Sequence, residues 1–527
     1  MNMKYANKRF TLILAVILGA LVQADAVLAD ESAAQTNEAA AVFDREAYKR
    51  TAGGSWKVVY SSAEGPQGRA LQTLTERIGT WILRERHTST ALVLPMERDG
   101  GEPVTTKENM IIVGVPSENG TLRKYLAANE VPKDGYLIKT LQDEGRAVIV
   151  LAGDGSREVL WAVFDFLDVV VHDIEARMVH DMAARYAGYI LQNPQRLPID
   201  YSFATSPQTP CRSVFSWGHV IDDYNESFRA MARARFNRAI LWNDQFVVNA
   251  KDVIENAHSW GVDVYWGFSW GWTLSGKDGP VDFKKLADEV VADWRVRWKP
   301  MGGDGIYFQS FTETSKKTIG GKSIPDAVVT FVNEVVARIR AEAPELNIVF
   351  GLHSNSMRYE GAETALAKID PSLEVLWENC GGFPYWEAYG AEISPDVAFN
   401  DKILSITQKA GLAWKAQLRM DWSNYVPPAG PFLLGCAGRR LLHRDRQVIS
   451  EVLPAYDEDW ILNGEEAYRL IRHIRDGSNQ PREFNAVAEY NPPFAYATMC
   501  QAELFWNSND SWDKIAKRAR MRARIER

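Results

Sequence analysis

Within the 527-residue sequence, Gly305-Ile-Tyr-Phe-Gln-Ser-Phe-Thr-Glu-Thr314 is an apolar run that ends on a carboxylate. Period-two alternation sets Ile306 and Phe308 on one face and Tyr307, Gln309, Phe311 and Glu313 on the other. If helices cover the apolar face, the second set looks into a parallel barrel. Glu313 then stands at the carboxyl end of the strand, where such barrels keep their chemistry. It can act there as a general acid; the alternative is a structural carboxylate paired with a neighbouring Lys or Arg. Further along, Lys415, Gln417, Arg419 and Asp421 share one face of a strand, and Ala416, Leu418, Met420 and Trp422 the other. Burying the polar set without partners costs several kcal/mol, so it must meet opposite charges or hydrogen-bonding groups. Glu374 and Glu378 on the preceding strand are such partners, and His353, Asn243, Asp244 and His219 extend the polar rim. So many inward polar groups point to a site, with a structural ion-pair network as the alternative.

Carboxylates around a barrel mouth suit glycoside hydrolysis, in which an acid protonates the leaving oxygen and a second carboxylate activates water or attacks. Glu313 fits the acid, because Phe311 and other aromatics can desolvate it and raise its pKa. Glu378 and Asp421 compete for the second role, and Arg419 would keep Asp421 ionised. The fourth and seventh strands lie nearly across an eight-stranded barrel, so inversion is expected. The substrate-binding set is Arg419, Lys415, Gln309, His353, Asp244, Trp270, Trp377, Trp422 and His219. Lys415 and Arg419 place two cations on one strand face, which suits an acidic, uronic sugar. The 18 Trp include Trp217, Trp242, Trp266, Trp270, Trp272, Trp377 and Trp422 at strand ends. Such rings stack on sugars or fill cores. A non-catalytic carbohydrate-binding barrel and a uronate lyase using His353 or a Tyr as base are the alternatives. No metal or other cofactor is expected. Gly321-Lys-Ser323 has the tail of a phosphate loop, but Lys316 stands where its first Gly belongs.

The segment Gly153-Asp-Gly-Ser-Arg-Glu-Val-Leu-Trp-Ala-Val-Phe-Asp-Phe-Leu167 is similar to the end of the hexosaminidase-type N-terminal domain, a strand, a Gly turn and a helix before a barrel. At the level of architecture, residues 55–460 resemble the β-hexosaminidases and the family-67 and family-115 α-glucuronidases. The resemblance implies a secreted barrel glycosidase with its acid on the fourth strand, where Glu313 stands. Substrate-assisted hexosaminidases carry Asp-Glu there and O-GlcNAcases Asp-Asp, whereas this chain has Thr312-Glu313. That departure shifts the expectation from N-acetyl assistance toward the α-glucuronidases, which draw base candidates from later strands, as Glu378 and Asp421 would be.

The elements that must position these groups follow from the chain. Lys4, Lys8 and Arg9, then the apolar run from Phe10 to Val22, then Val27-Leu-Ala29 read as an export signal, residues 1–29. The expected location is secreted or periplasmic. Residues 30–54 read as a linker and 55–200 as a small N-terminal α/β domain. Alternating strands and helices over 208–464 predict a (β/α)8 barrel, with the eighth strand sought around Val448 to Leu453. Residues 465–527 read as a helical C-terminal region. Net charge is −8, so nucleic acid is an unsuited partner and an oligo- or polysaccharide the expected one. No stretch of the mature chain reads as a membrane span. Cys211, Cys380, Cys436 and Cys500 show no metal-ligand spacing and are expected as buried thiols, with disulfides the alternative.

Overall fold

A computed structural model describes residues 56–86, 94–171, 200–216, 221, 223–242, 247–271, 280–311, 316–353, 359–378, 413–418, most of 460–476, 483–487 and 496–524. The first unit holds strands β1 (Trp56–Tyr60), β2 (Met96–Arg98), β3 (Asn109–Gly114), β4 (Tyr136–Asp143), β5 (Arg146–Gly153) and β6 (Ser202–Thr205). They form one sheet in the order β2-β1-β3-β5-β4-β6. The β4–β5 hairpin turns through Glu144 and Gly145 at φ 50° and 81°, the left-handed pair that a two-residue loop demands. Helix Ser156–Asp165 continues as a π-helical turn, Phe166–Val171, which carries Asp168.

The second unit is a closed parallel barrel. Its strands are β7 (Cys211–Phe215), β8 (Arg238–Trp242), β9 (Asp263–Trp270) and β10 (Gly305–Ser310), then, after the hairpin β11 (Thr318–Ile319) and β12 (Lys322–Ser323), β13 (Ile348–His353), β14 (Glu374–Glu378), β15 (Ala413–Leu418) and β16 (Glu483–Val487). The closing strand is therefore Glu483–Val487, which pairs with both β15 and β7, and not a strand at Val448–Leu453. That earlier segment lies outside the described residues. The strand falls inside the stretch expected to be helical, although Glu483 and Asn485 alternate with the apolar Phe484 and Ala486.

Alternation along the strands separates two cores. Phe215, Ile240, Trp242, Tyr265, Tyr307, Val349 and Leu376 pack together inside the barrel. Their neighbours, such as Leu241, Trp266, Phe308, Phe350 and Phe484, pack with the helices. Among the described residues no helix is long and apolar enough to cross a membrane.

Buried charges join the units. Asp165 is held by Tyr136 and Arg522, and Arg522 Nε lies 3.1 Å from Glu503. Glu503 also binds Arg235 and, at 2.8 Å, Arg518. Asp168 meets Arg233 at 2.5 Å, while Arg233 and Arg522 each donate to the other's backbone carbonyl. Helix Trp512–Arg524 thus ties the first unit to the barrel. A second contact stacks Arg69 over Trp260 at 4.7 Å and pairs Arg157 with Asp263 at 2.7 Å.

Candidate active site

The barrel interior is built in layers from the amino end upward. At the base, Glu483 is fully buried, ion-paired with Arg238 at 2.6 Å and bonded by the Ser213 hydroxyl. Asn485 Nδ2 donates to Ser213 Oγ at 2.6 Å. Arg238 also stacks over Tyr265 at 4.1 Å. Burial pulls the Arg238 pKa down, but the Glu483 charge more than reverses this; burial pushes the Tyr265 hydroxyl up, against the Arg238 charge. This network satisfies its own charges and plugs the barrel base. Sequence reasoning missed it because Glu483 and Asn485 belong to the unassigned eighth strand, and their alternation with Phe484 and Ala486 was the available signal.

Above the plug stands an aromatic floor. Phe215 lies 5.1 Å from Tyr307 and 6.0 Å from Trp242, and Trp242 lies 5.9 Å from Tyr307. Glycines beside these rings make the room. A Cβ at Gly267 would sit 2.9 Å from the Trp242 ring, and one at Gly351 would collide with the Tyr307 hydroxyl. Gln309, fully buried on the next inward position of β10, donates from Nε2 to Tyr307 Oη at 2.7 Å. On the same inward face of β9, Ser269 is exposed although Phe268 and Trp270 beside it are buried, so the barrel opens at this height.

Register places further candidates. Leu376 pairs with Lys415, and Glu378 pairs with both His353 and Gln417. The register therefore sets His353, Glu378, Lys415 and Gln417 at positions of the same parity as Leu376 along their strands. Glu313, Asp421, Arg419, Asp244, Trp422 and His219 lie outside the described residues.

Two tryptophans expected at the sugar cleft belong elsewhere. Trp270 stacks on Phe308 with centroids 3.4 Å apart, and Trp377 joins the same outer core. Parity explains both: Trp270 follows Trp266 and Phe268 on the outer face of β9, and Trp377 follows Val375 on that of β14. Phe311 also leaves its expected face. Its φ of 52° turns the chain at the end of β10, and its ring packs 5.5 Å from Phe331 in the outer core. A left-handed aromatic residue is costly and is held here by that packing. The alternation that placed Phe311 with Gln309 therefore stops at Ser310, and the desolvating role expected of Phe311 goes with it.

No family model matches the chain, and no curated protein matches it. Among solved structures, that of CpGH84D is similar with a TM-score of 0.49 at 10% identity, covering 88% of this chain and 68% of that one. The β-N-acetylhexosaminidase from Bacteroides fragilis NCTC 9343 is similar with a TM-score of 0.37 at 10% identity, covering 69% of this chain and 70% of that one.

Proposed function

We propose that the chain is an exported, exo-acting glycoside hydrolase that works through a carboxylate pair at the carboxyl end of the barrel. The supporting observation is the division of the inward face. Phe215, Trp242, Tyr307 and Val349 pack as an apolar floor, while Glu374, Glu378, Lys415 and Gln417 stand at register positions of the same parity as Leu376 on β14 and β15. A sugar ring has the same division, with apolar C–H faces and polar edges, which supports the reading. In this proposal Glu313, just beyond the turn at Phe311, is the general acid, and Glu378 or Asp421 is the base or nucleophile. An acidic sugar held by Lys415 and Arg419, and an inverting course, complete it.

The test is hydrolysis of a panel of aryl glycosides and oligosaccharides by the purified protein and by Glu313→Gln. The variant is expected to keep the fold and to lose about 10²-fold or more on poor leaving groups, and much less on activated ones. Equal losses on both would refute the acid role. An unsaturated product absorbing in the ultraviolet would replace hydrolysis by elimination, and binding without any product would make the barrel a lectin-like module.

A further inference from the structure

We infer that the hairpin β11–β12 is a fixed cationic contact at the rim of the barrel for the acidic polysaccharide on which the proposed glycosidase acts, a substrate class that rests on that proposal. The hairpin follows the carboxyl end of β10. It packs beside the segment that follows β9, since a Cβ on Gly320 would sit 3.1 Å from the Phe283 ring and 3.2 Å from Val281. It also neighbours the segment after β13, where a Cβ on Gly361 would lie 3.8 Å from Ser323 Oγ. These contacts put it at the end of the barrel where Ser269 is exposed.

The hairpin is built to hold its shape. Thr318 pairs with Ser323 and Ile319 with Lys322 across a Gly320-Gly321 turn whose φ values are 57° and 78°. Ser323 caps the helix Ile324–Glu342, accepting from the Asp326 amide at 3.4 Å. Cross-strand pairing and period two put Lys317, Ile319 and Lys322 on one face, and the buried Ile319 shows that this face is turned to the body of the barrel. Lys317 and Lys322 are both exposed, and among the described residues neither has an ion-pair partner. Of the carboxylates around the hairpin, Asp282 accepts from the Lys284 and Lys285 amides, and Asp326 faces Ser323 and, at 3.9 Å, Lys368.

Unpaired cations on the rim of a protein with net charge −8 are placed against the average field. They suit a chain that carries one charge per sugar. Duplex nucleic acid, with a charge every ~1.7 Å, would meet the acidic remainder of the surface at once.

Affinity electrophoresis of the full chain through gels containing polygalacturonate, neutral dextran or duplex DNA tests the inference. Retardation by polygalacturonate alone, suppressed by high salt, is expected. Lys317→Gln/Lys322→Gln should weaken it by about fivefold, as the loss of two exposed charge contacts implies, and Lys317→Arg/Lys322→Arg should retain it. Absence of retardation, or an unchanged double Gln variant, would overturn the contact; equal retardation by DNA would overturn the polysaccharide class. Turnover of an uncharged aryl glycoside is expected to be the same in the wild type and the double Gln variant. A wild type that binds polygalacturonate through these lysines but cleaves no glycoside keeps the contact and overturns the glycosidase.

Discussion

Arg522 is the perturbation that best measures how the two units are joined. Its side chain is 1% exposed and lies between Asp165, 5% exposed, and Glu503, 1% exposed. Arg522→Met keeps most of the stem volume but removes the guanidinium. Breaking a buried pair in this way costs about 3–5 kcal/mol, because the partner carboxylates remain buried. Here the lower end applies: Arg235 and Arg518 still hold Glu503, and Tyr136 still donates to Asp165. About 3 kcal/mol lowers the melting temperature of a unit of this size by roughly 6–12 °C. Calorimetry and urea unfolding followed by fluorescence and circular dichroism read both quantities and test whether the transition stays cooperative. Asp165→Asn in the Arg522→Met background should recover part of the loss, since it removes a buried carboxylate left with Tyr136 and, at 3.7 Å, Arg235. The exposed pair Arg469–Glu465 is the control, and Arg469→Met should change nothing measurable. An Arg522→Met loss no larger than the control's would show that the buried network carries no net stability.

Three further outcomes are expected. An NMR time course of hydrolysis should show the product first with the anomeric configuration opposite to the substrate's; early product of the same configuration would replace the base by a nucleophile. Arg419→Met should weaken catalysis on a uronic substrate by about tenfold or more while sparing its uncharged analogue, because it removes a charge-assisted contact; equal losses would make Arg419 a structural partner. Burial raises the pKa of the Asp99 carboxyl, but the Thr121 hydroxyl and the amides of Gly101, Gly120 and Thr121 lower it further than burial raises it. Its stabilisation is therefore complete above the unfolded value of about 3.9 and is lost as pH falls through the lower folded value. Asp99→Asn should be less stable at neutral pH and lose less on acidification, and parallel urea-midpoint curves against pH would contradict this.

Seven barrel strands were legible because their outward faces repeat large apolar residues at every second position, as Trp266, Phe268 and Trp270 do on β9. The eighth was not, because Glu483 and Asn485 carry a polar network on its inner face. The tryptophan errors were errors of parity rather than of element: Ser269, not Trp270, shares the inward face of β9. Phe311 escaped for another reason. Its positive φ comes from packing against Phe331, and nothing local announces it. The charged junction is of the same kind, since Asp165, Arg235, Glu503 and Arg522 meet only after folding. Legibility at the site follows the same division. The inward position of Gln309 follows from alternation, whereas the Tyr307–Gln309 bond and the glycine clearances depend on distant strands.

The late position of the closing strand has a consequence for how the molecule is made. During synthesis, β7 and β15 each have one unpaired edge until Glu483–Val487 emerges between them. The helix that supplies Arg522 emerges later still. Until then the nascent barrel is an open sheet with two edges able to recruit strands from other chains. Shortening the chain before Glu483 would make that transient state permanent, so a truncation there should yield aggregate rather than a smaller folded protein.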